Sequence, residues 1–346
     1  MKMQNLSLYL LVCTVLGLSA CGGGGGGDSA SSSAASTAAD AAAVSAAAAS
    51  GTPTPAYVTG SEELAALNLL NAERSRCGFG QLAQQAQLDA AAKAHADYQI
   101  INNLLTHVED RTAFPNGFSG VSALDRVIAK GYTGVGGVTD EIVGLFGTSV
   151  KTGAGASGIR GLLSAPYHLR GLVGPFRDIG ISVRSNTDVG TSAPKVFLQI
   201  DAAYKSAVGP QSLAASDVNT YPCEGTTGVN RQLSNESPNP VPGRDLSVNP
   251  LGAVVYIGTR EGNTLQISSA SMLQVSTGSP VALRAPITAA TDPYSPCSEG
   301  CFKSHQAYVA ANAPLQANAA YQVMITGSNN GAAFSRVFTF TTGSGV

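Results

Sequence analysis

The stretch Leu88-Asp89-Ala90-Ala91-Ala92-Lys93-Ala94-His95-Ala96-Asp97 decides how this chain is read. Leu88, Ala91, Ala92 and His95 stand at i, i+3, i+4 and i+7, a spacing that gathers four side chains on one helical face. The pattern predicts a helix from about Gln84 to Asn102 with His95 on its core side. An imidazole in that place is expected to bond a nearby backbone group or acid, since buried polar groups are paired.

Upstream, Ser61 reads as an N-cap, with Glu62 and Glu63 in the first turn where the helix dipole favours them. Leu64, Leu67, Asn68 and Asn71 then recur at helical spacing until Gly78 and Gly80. Downstream, a shorter helix is predicted around Ala123 to Lys130, stopped by Gly131, and Gly-rich turns follow to about Gly158. Strands are predicted at Gly180-Ile181-Ser182-Val183 and from Lys195 to Ile200. Helices first and strands after is the order of an α+β domain. The Pro-rich patch from Asn239 to Pro242 then marks a boundary. Beyond it, Ala253 to Ile257, Ala320 to Ile325 and Ser335 to Thr342 alternate as short strands, with Asn329-Asn330-Gly331 as a turn, which predicts a β-sandwich. The expected domains are residues 61–237 and 238–346.

The first sixty residues read as export machinery rather than fold. Lys2 supplies a positive start, and Leu6 to Leu18 form an apolar run too short to span a bilayer. Leu18-Ser19-Ala20-Cys21 resembles the bacterial lipobox, which predicts a signal peptide over residues 1–20 and acylation of Cys21. Gly22 after the Cys favours the outer membrane in a Gram-negative cell. Several acyl chains anchor firmly, since each buried CH₂ contributes about 0.8 kcal/mol. Residues 21–60, rich in Gly, Ser and Ala, read as a flexible tether.

The formal net charge is −2 and 12% of residues are charged. That balance excludes a nucleic-acid partner, which requires a clustered excess of Lys and Arg. Of six Cys, Cys13 leaves with the signal and Cys21 carries lipid, so four remain and three pairings are open. Cys297 and Cys301 lie close in one polar loop and are expected to pair, leaving Cys77 and Cys223 to bracket the first domain. Paired cysteines belong to an oxidising compartment.

Residues 61–204 resemble the bacterial CAP superfamily, related to cysteine-rich secretory proteins, antigen 5 and plant pathogenesis-related proteins. The resemblance rests on an ordered series: Leu70-Asn71-Ala72-Glu73-Arg74; the helix from Leu88 to Asp97; Thr106-His107; Asp125-Arg126 with Lys130-Gly131-Tyr132; Asp140-Glu141-Ile142; Ser164 to Arg170; and Asp178-Ile179-Gly180-Ile181. It implies an α-β-α sandwich with a central groove. Residues 241–344 look like a bacterial Ig-like domain, through Pro314 to Tyr321 and the closing Phe338-Thr339-Phe340-Thr341-Thr342.

The resemblance also implies site residues. His107, His168 and an acid from Asp140 or Glu141 would line the groove, and the two His would hold a divalent metal such as zinc. The chain departs from the family where Asp140-Glu141 replaces a Glu-Asn pair, so which carboxylate points inward stays open. The second groove acid of animal members has no match in Ile159 to Leu163. Ser164 lies four residues before His168, but no nucleophile elbow accompanies it. His305 is expected in a solvated loop, and Arg74 and Arg170 are expected to pair with acids. The expected function is a groove that binds a lipid, peptide or envelope fragment, with the second domain as spacer. The alternative is a metal-assisted hydrolase acting on peptide or envelope polymer.

Overall fold

The computed structural model describes residues 54–296 and 301–345. The signal segment, Cys21, most of the tether and Cys297 lie outside the described residues. Among the described residues no helix is long and apolar enough to cross a membrane.

The helices follow from their caps and apolar faces. Ser61 Oγ accepts the Leu64 N–H at 3.2 Å and opens helix α1, Glu62–Arg76. Helix α2, Ala86–Asn102, buries Leu88, Ala91, Ala92 and His95 and ends at Asn103 in the left-handed region. Helix α3, Ala123–Ala129, begins at a reciprocal cap between Ser122 and Asp125.

The first sheet has the order β1-β3-β4-β2. It comprises β1 (Ala83–Gln84), β2 (Val135–Phe146), β3 (Asp178–Ser185) and β4 (Lys195–Lys205). Alternation along β3 and β4 sends Ile179, Ile181, Val183, Val196, Leu198 and Ile200 to one face. There they pack against α1 and against helix α4, Ala154–Ser164, which runs into α5, Pro166–Leu172. The other face meets α2. An added Cβ on Gly180 would lie 2.0 Å from the Leu88 carbonyl carbon, so glycine is what lets α2 approach. Helices thus cover both faces of the sheet, and β2 is its edge.

The sequence reading placed Gly-rich turns where β2 and α4 stand. Those glycines serve packing. A Cβ on Gly136 or Gly137 would fall 2.6 Å from the Tyr204 ring of β4, and one on Gly144 would fall 2.6 Å from Phe197. The aromatic rings of β4 fill the space that side chains of β2 would occupy.

The remaining strands form two further four-stranded sheets, ordered β10-β13-β14-β6 and β11-β12-β9-β5. The first contains β6 (Thr226–Val229), β10 (Leu265–Gln274), β13 (Ala320–Asn329) and β14 (Ala332–Thr342). The second contains β5 (Val218–Tyr221), β9 (Val254–Thr259), β11 (Ile287–Thr288) and β12 (Gln306–Ala310). A two-stranded pair, β7 (Gln232–Leu233) and β8 (Leu251–Gly252), links them. Val255, Ile257, Ala307 and Val309 meet Val323, Ile325, Phe338 and Phe340 in one apolar core between the sheets. The chain is therefore mixed α and β. Strands β5 and β6 enter these sheets before the Pro-rich patch, so the chain leaves the first sheet soon after Lys205.

The two halves share a core. Tyr167 of α5 packs on Phe302 with ring centroids 5.8 Å apart, and Phe302 packs on Tyr308 at 5.1 Å. A disulfide joins Cys77, which caps α1, to Cys223 between β5 and β6.

Candidate functional site

The site forms at the edge strand β2. Asp140 and Glu141 are consecutive, so their side chains leave opposite faces of the sheet. Asp140 points toward α2, alongside Asp201, its partner on β4. Glu141 points toward α5, so closely that a Cβ on Gly171 would lie 1.7 Å from its Oε1. Each carboxylate holds one histidine. His107 Nδ1 lies 3.3 Å from Asp140 Oδ2, and His168 Nδ1 lies 2.6 Å from Glu141 Oε2. Both carboxylates, rather than one of the two, therefore hold a histidine. His107 sits on the loop after α2 and His168 on α5, yet their ring centroids come within 5.9 Å. His168 is 16% exposed at its side chain and His107 47%, so the pair opens to solvent on the His107 side.

Electrostatics fix the protonation of the pair. Burial works against a charged His168, but the Glu141 hydrogen bond and charge outweigh it and push the pKa up to about 9. The Asp140 hydrogen bond likewise raises His107 above the ordinary imidazole value. Burial acts to raise Asp140, but His107, Arg126 and His95 hold it below the usual carboxylate range. Arg126, 0% exposed, donates to Asp140 at 3.0 Å and to the His107 carbonyl at 3.2 Å, so it fixes both the acid and the loop.

Beneath this lies a second layer. His95 is buried, with Nδ1 2.9 Å from Glu109 Oε1 and Nε2 2.8 Å from the Thr106 carbonyl. Both ring nitrogens thus have a hydrogen-bond partner. Glu109 also takes the Ser119 N–H, the Ser119 hydroxyl and the Gly120 N–H. Burial and the facing Asp140 push Asp201 well above the carboxylate range. Neither of its oxygens makes a hydrogen bond of regular geometry.

Other expected residues take different places. Ser164 Oγ donates to the Gly161 carbonyl at 2.6 Å and meets Asn230, so no serine–histidine pair forms with His168. Arg74 pairs with no acid. It is buried and donates to the carbonyls of Phe79, Gly80, Leu172 and Gly174, groups that a bend in the chain leaves unpaired. Arg170 makes no ion pair among the described residues, and its Nε is buried without a partner. His305 is half-buried rather than solvated, because its carbonyl joins the Thr259 N–H at the start of β12. Burial lowers its pKa.

Sequence reasoning missed three acids near the site, Asp201 beside Asp140 among them. Glu109 is where buried His95 needs a partner, a signal that was present in the helix pattern. Glu236 is 7% exposed and accepts the Tyr167 N–H at 3.2 Å from the other half of the chain. Burial pushes its carboxyl up to about 7.

Among the described residues, no group of three or more His, Cys, Asp and Glu side chains gathers as a metal set. Asp140 and Glu141 already occupy the Nδ1 sides of the rings, so the donors left for a metal are the two Nε2 atoms.

No protein-family description matches the chain, and no curated protein matches it. Solved structures with partial likeness include an outer surface protein from Borrelia burgdorferi, 14% identical, TM-score 0.34, covering 43% of this chain and 97% of that one. Another is an extracellular protein containing an SCP domain from Bacillus anthracis str. Ames, 19% identical, TM-score 0.33. That likeness covers 42% of this chain and 40% of the Bacillus protein.

Proposed function

We propose that this is an exported envelope protein, lipid-anchored at Cys21, whose first half is a CAP-like domain that binds a ligand between His107 and His168. The second half is read as an Ig-like sandwich. One observation carries the binding reading. A carboxylate holds Nδ1 of each ring, at 3.3 Å for His107 and 2.6 Å for His168. Each Nε2 is left without a protein hydrogen bond among the described residues. His168, pushed up to about 9, presents its Nε2 as an N–H donor at neutral pH, and the proton affinity of His107 is raised in the same direction. Such a donor suits a ligand with acceptor or anionic groups, as peptides, lipids and envelope fragments carry. The ordered CAP-like motifs support the family reading, since His107, Asp140, Glu141 and His168 come from three of them. The lipobox-like segment and the Cys77–Cys223 disulfide support export to an oxidising compartment.

The same carboxylate–Nδ1 pairing favours a second reading, because it is how proteins orient a histidine toward a metal through Nε2. His107 and His168 would then be the ligands, and a divalent ion there would polarise a carbonyl or a bound water for hydrolysis. Two ligands and two raised imidazoles make this the weaker reading.

Calorimetry on the full chain separates the two. Zinc and a soluble cell-wall peptide are titrated into the wild type, H107A and H168A. Peptide binding lost in both variants, with no zinc binding, supports the groove-ligand reading. Stoichiometric zinc binding lost in both supports the hydrolase. Binding of neither, or binding indifferent to both substitutions, removes the His pair from the function. Incorporation of labelled palmitate, lost in C21S, tests the anchor.

A further inference from the structure

Helix α5 begins at Pro166, which has no N–H, and no side chain of its own N-cap residue, Ala165, bonds into the first turn. The first N–H groups that need a partner belong to Tyr167 and His168. Both are directed at Glu236, with the Tyr167 bond at 3.2 Å. Glu236 lies between β7 and β8, 69 residues beyond Tyr167, in the strand-rich half. His168 is therefore held through its ring by Glu141, while Glu236 bonds the adjacent Tyr167 N–H of the same turn. The Tyr167 side chain is anchored separately, its hydroxyl donating to Asp292 at 3.0 Å. Among the described residues, Glu236 Oε2 is buried without a hydrogen-bond partner, and so is the Tyr308 hydroxyl beside it. A buried carboxylate with one oxygen unpaired is costly to keep for packing alone.

We propose that Glu236 is a positioning residue for His168, so that the strand-rich half completes the groove site rather than standing off as a spacer. The inference rests on reading His107 and His168 as the site. A ligand-binding pair must be held within about 0.5 Å of its working geometry, and its supporting groups supply that precision. Losing the Glu236 contacts frees the first turn of α5 and lets the His168 ring move from Glu141.

The chain contains four His, so ¹⁵N-histidine labelling of the full chain gives a spectrum assignable through H168Q. The reading is exchange with water of the His168 Nδ1 proton shared with Glu141. E236A is expected to speed that exchange at least tenfold and leave the His95 ring unchanged. E236Q, whose amide oxygen still accepts the Tyr167 N–H, is expected to restore it to within twofold. Y167F removes the Asp292 contact but not the backbone bond, and is expected to change exchange less than twofold. Unchanged exchange in E236A, failure of E236Q to rescue, or an equal effect in Y167F overturns the proposal. If E236A does not fold, E236D decides, since it keeps the charge but is one carbon short. Several-fold faster exchange supports positioning, and no change refutes it. The measurement needs no ligand, so it stands whether or not the binding reading does.

Discussion

His107 and His168 stand with their rings 5.9 Å apart and tilted by 35°, although the two residues reach the site from opposite faces of one sheet. Only an edge strand permits this. Strand alternation sends Asp140 and Glu141 apart, and with no strand beyond β2 the groups they hold can close over the edge. The ordinary obstacle to using neighbouring strand residues together becomes the means of pairing two histidines.

The Glu141–His168 bond sets a pH dependence. The folded pKa of His168 is raised to about 9, above an unfolded value near about 6.5. The stabilisation is then full below about pH 6.5 and is lost as pH rises through about 9. The whole effect is of order 3–4 kcal/mol, since one pKa unit is about 1.4 kcal/mol. E141Q is expected to bring the His168 pKa down toward the ordinary value. The stability difference between wild type and E141Q, from urea unfolding, should be largest near pH 6 and smallest near pH 10. A difference that grows with pH would refute the assignment.

Gly171 sets how closely α5 approaches β2. An added Cβ would sit 1.7 Å from Oε1 of Glu141, a buried carboxylate whose other oxygen, Oε2, is bonded to His168. G171A is expected to destabilise by about 1–3 kcal/mol, as overpacking does, and to shift the His168 ring signals. Gly161 on α4 has nothing within 4 Å of the same position. G161A should be neutral or stabilising by about 0.5–1 kcal/mol, through helix propensity. Equal melting shifts in the two variants would contradict the packing account.

These glycines also mark what could be read from sequence. The helices around Leu67 and Leu88 were legible because each buries one face and the period survives in the residue order. Strand β2 and helix α4 were not, because Gly136, Gly137, Gly144 and Gly158 stand where Tyr204, Phe197 and Leu198 of β4 intrude. In a linear pattern such glycines look like turns. His107 and His168 stand out through motif resemblance, but their pairing with both carboxylates depends on β2 being an edge. Glu236 carries no local signal, since its role is created by a contact between distant segments.

The Cys77–Cys223 bond closes a loop of 146 residues between α1 and the second pair of sheets. Constraint of the unfolded chain over so long a loop predicts about 2–5 kcal/mol. Cys77 and Cys223 replaced together by Ser should lower the melting temperature measured by calorimetry. The wild type under reductant should approach the variant. A variant as stable as the oxidised parent would show that native contacts alone fix the two halves.

Arg126 and Asp201 give opposite expectations at the floor of the site. R126M removes a guanidinium that is 0% exposed and leaves Asp140 with its negative charge in a largely buried place. Breaking one side of a buried ion pair costs about 3–5 kcal/mol, and the pKa of Asp140 should rise, with His107 losing its fixed position as its carbonyl contact goes. Asp201 is fully buried with its pKa raised well above the carboxylate range by burial and by Asp140. A raised folded pKa means that folding is favoured at low pH and penalised as pH rises toward that value. D201N removes the penalty while keeping the shape, so it should be stabilising at pH 8 and less so at pH 5. Unfolding curves at the two pH values test this directly. A large loss of stability in D201N at both would mean that Asp201 is held as a charged partner of Arg126, and that the two carboxylates, rather than Asp140 alone, carry the charge beneath His107.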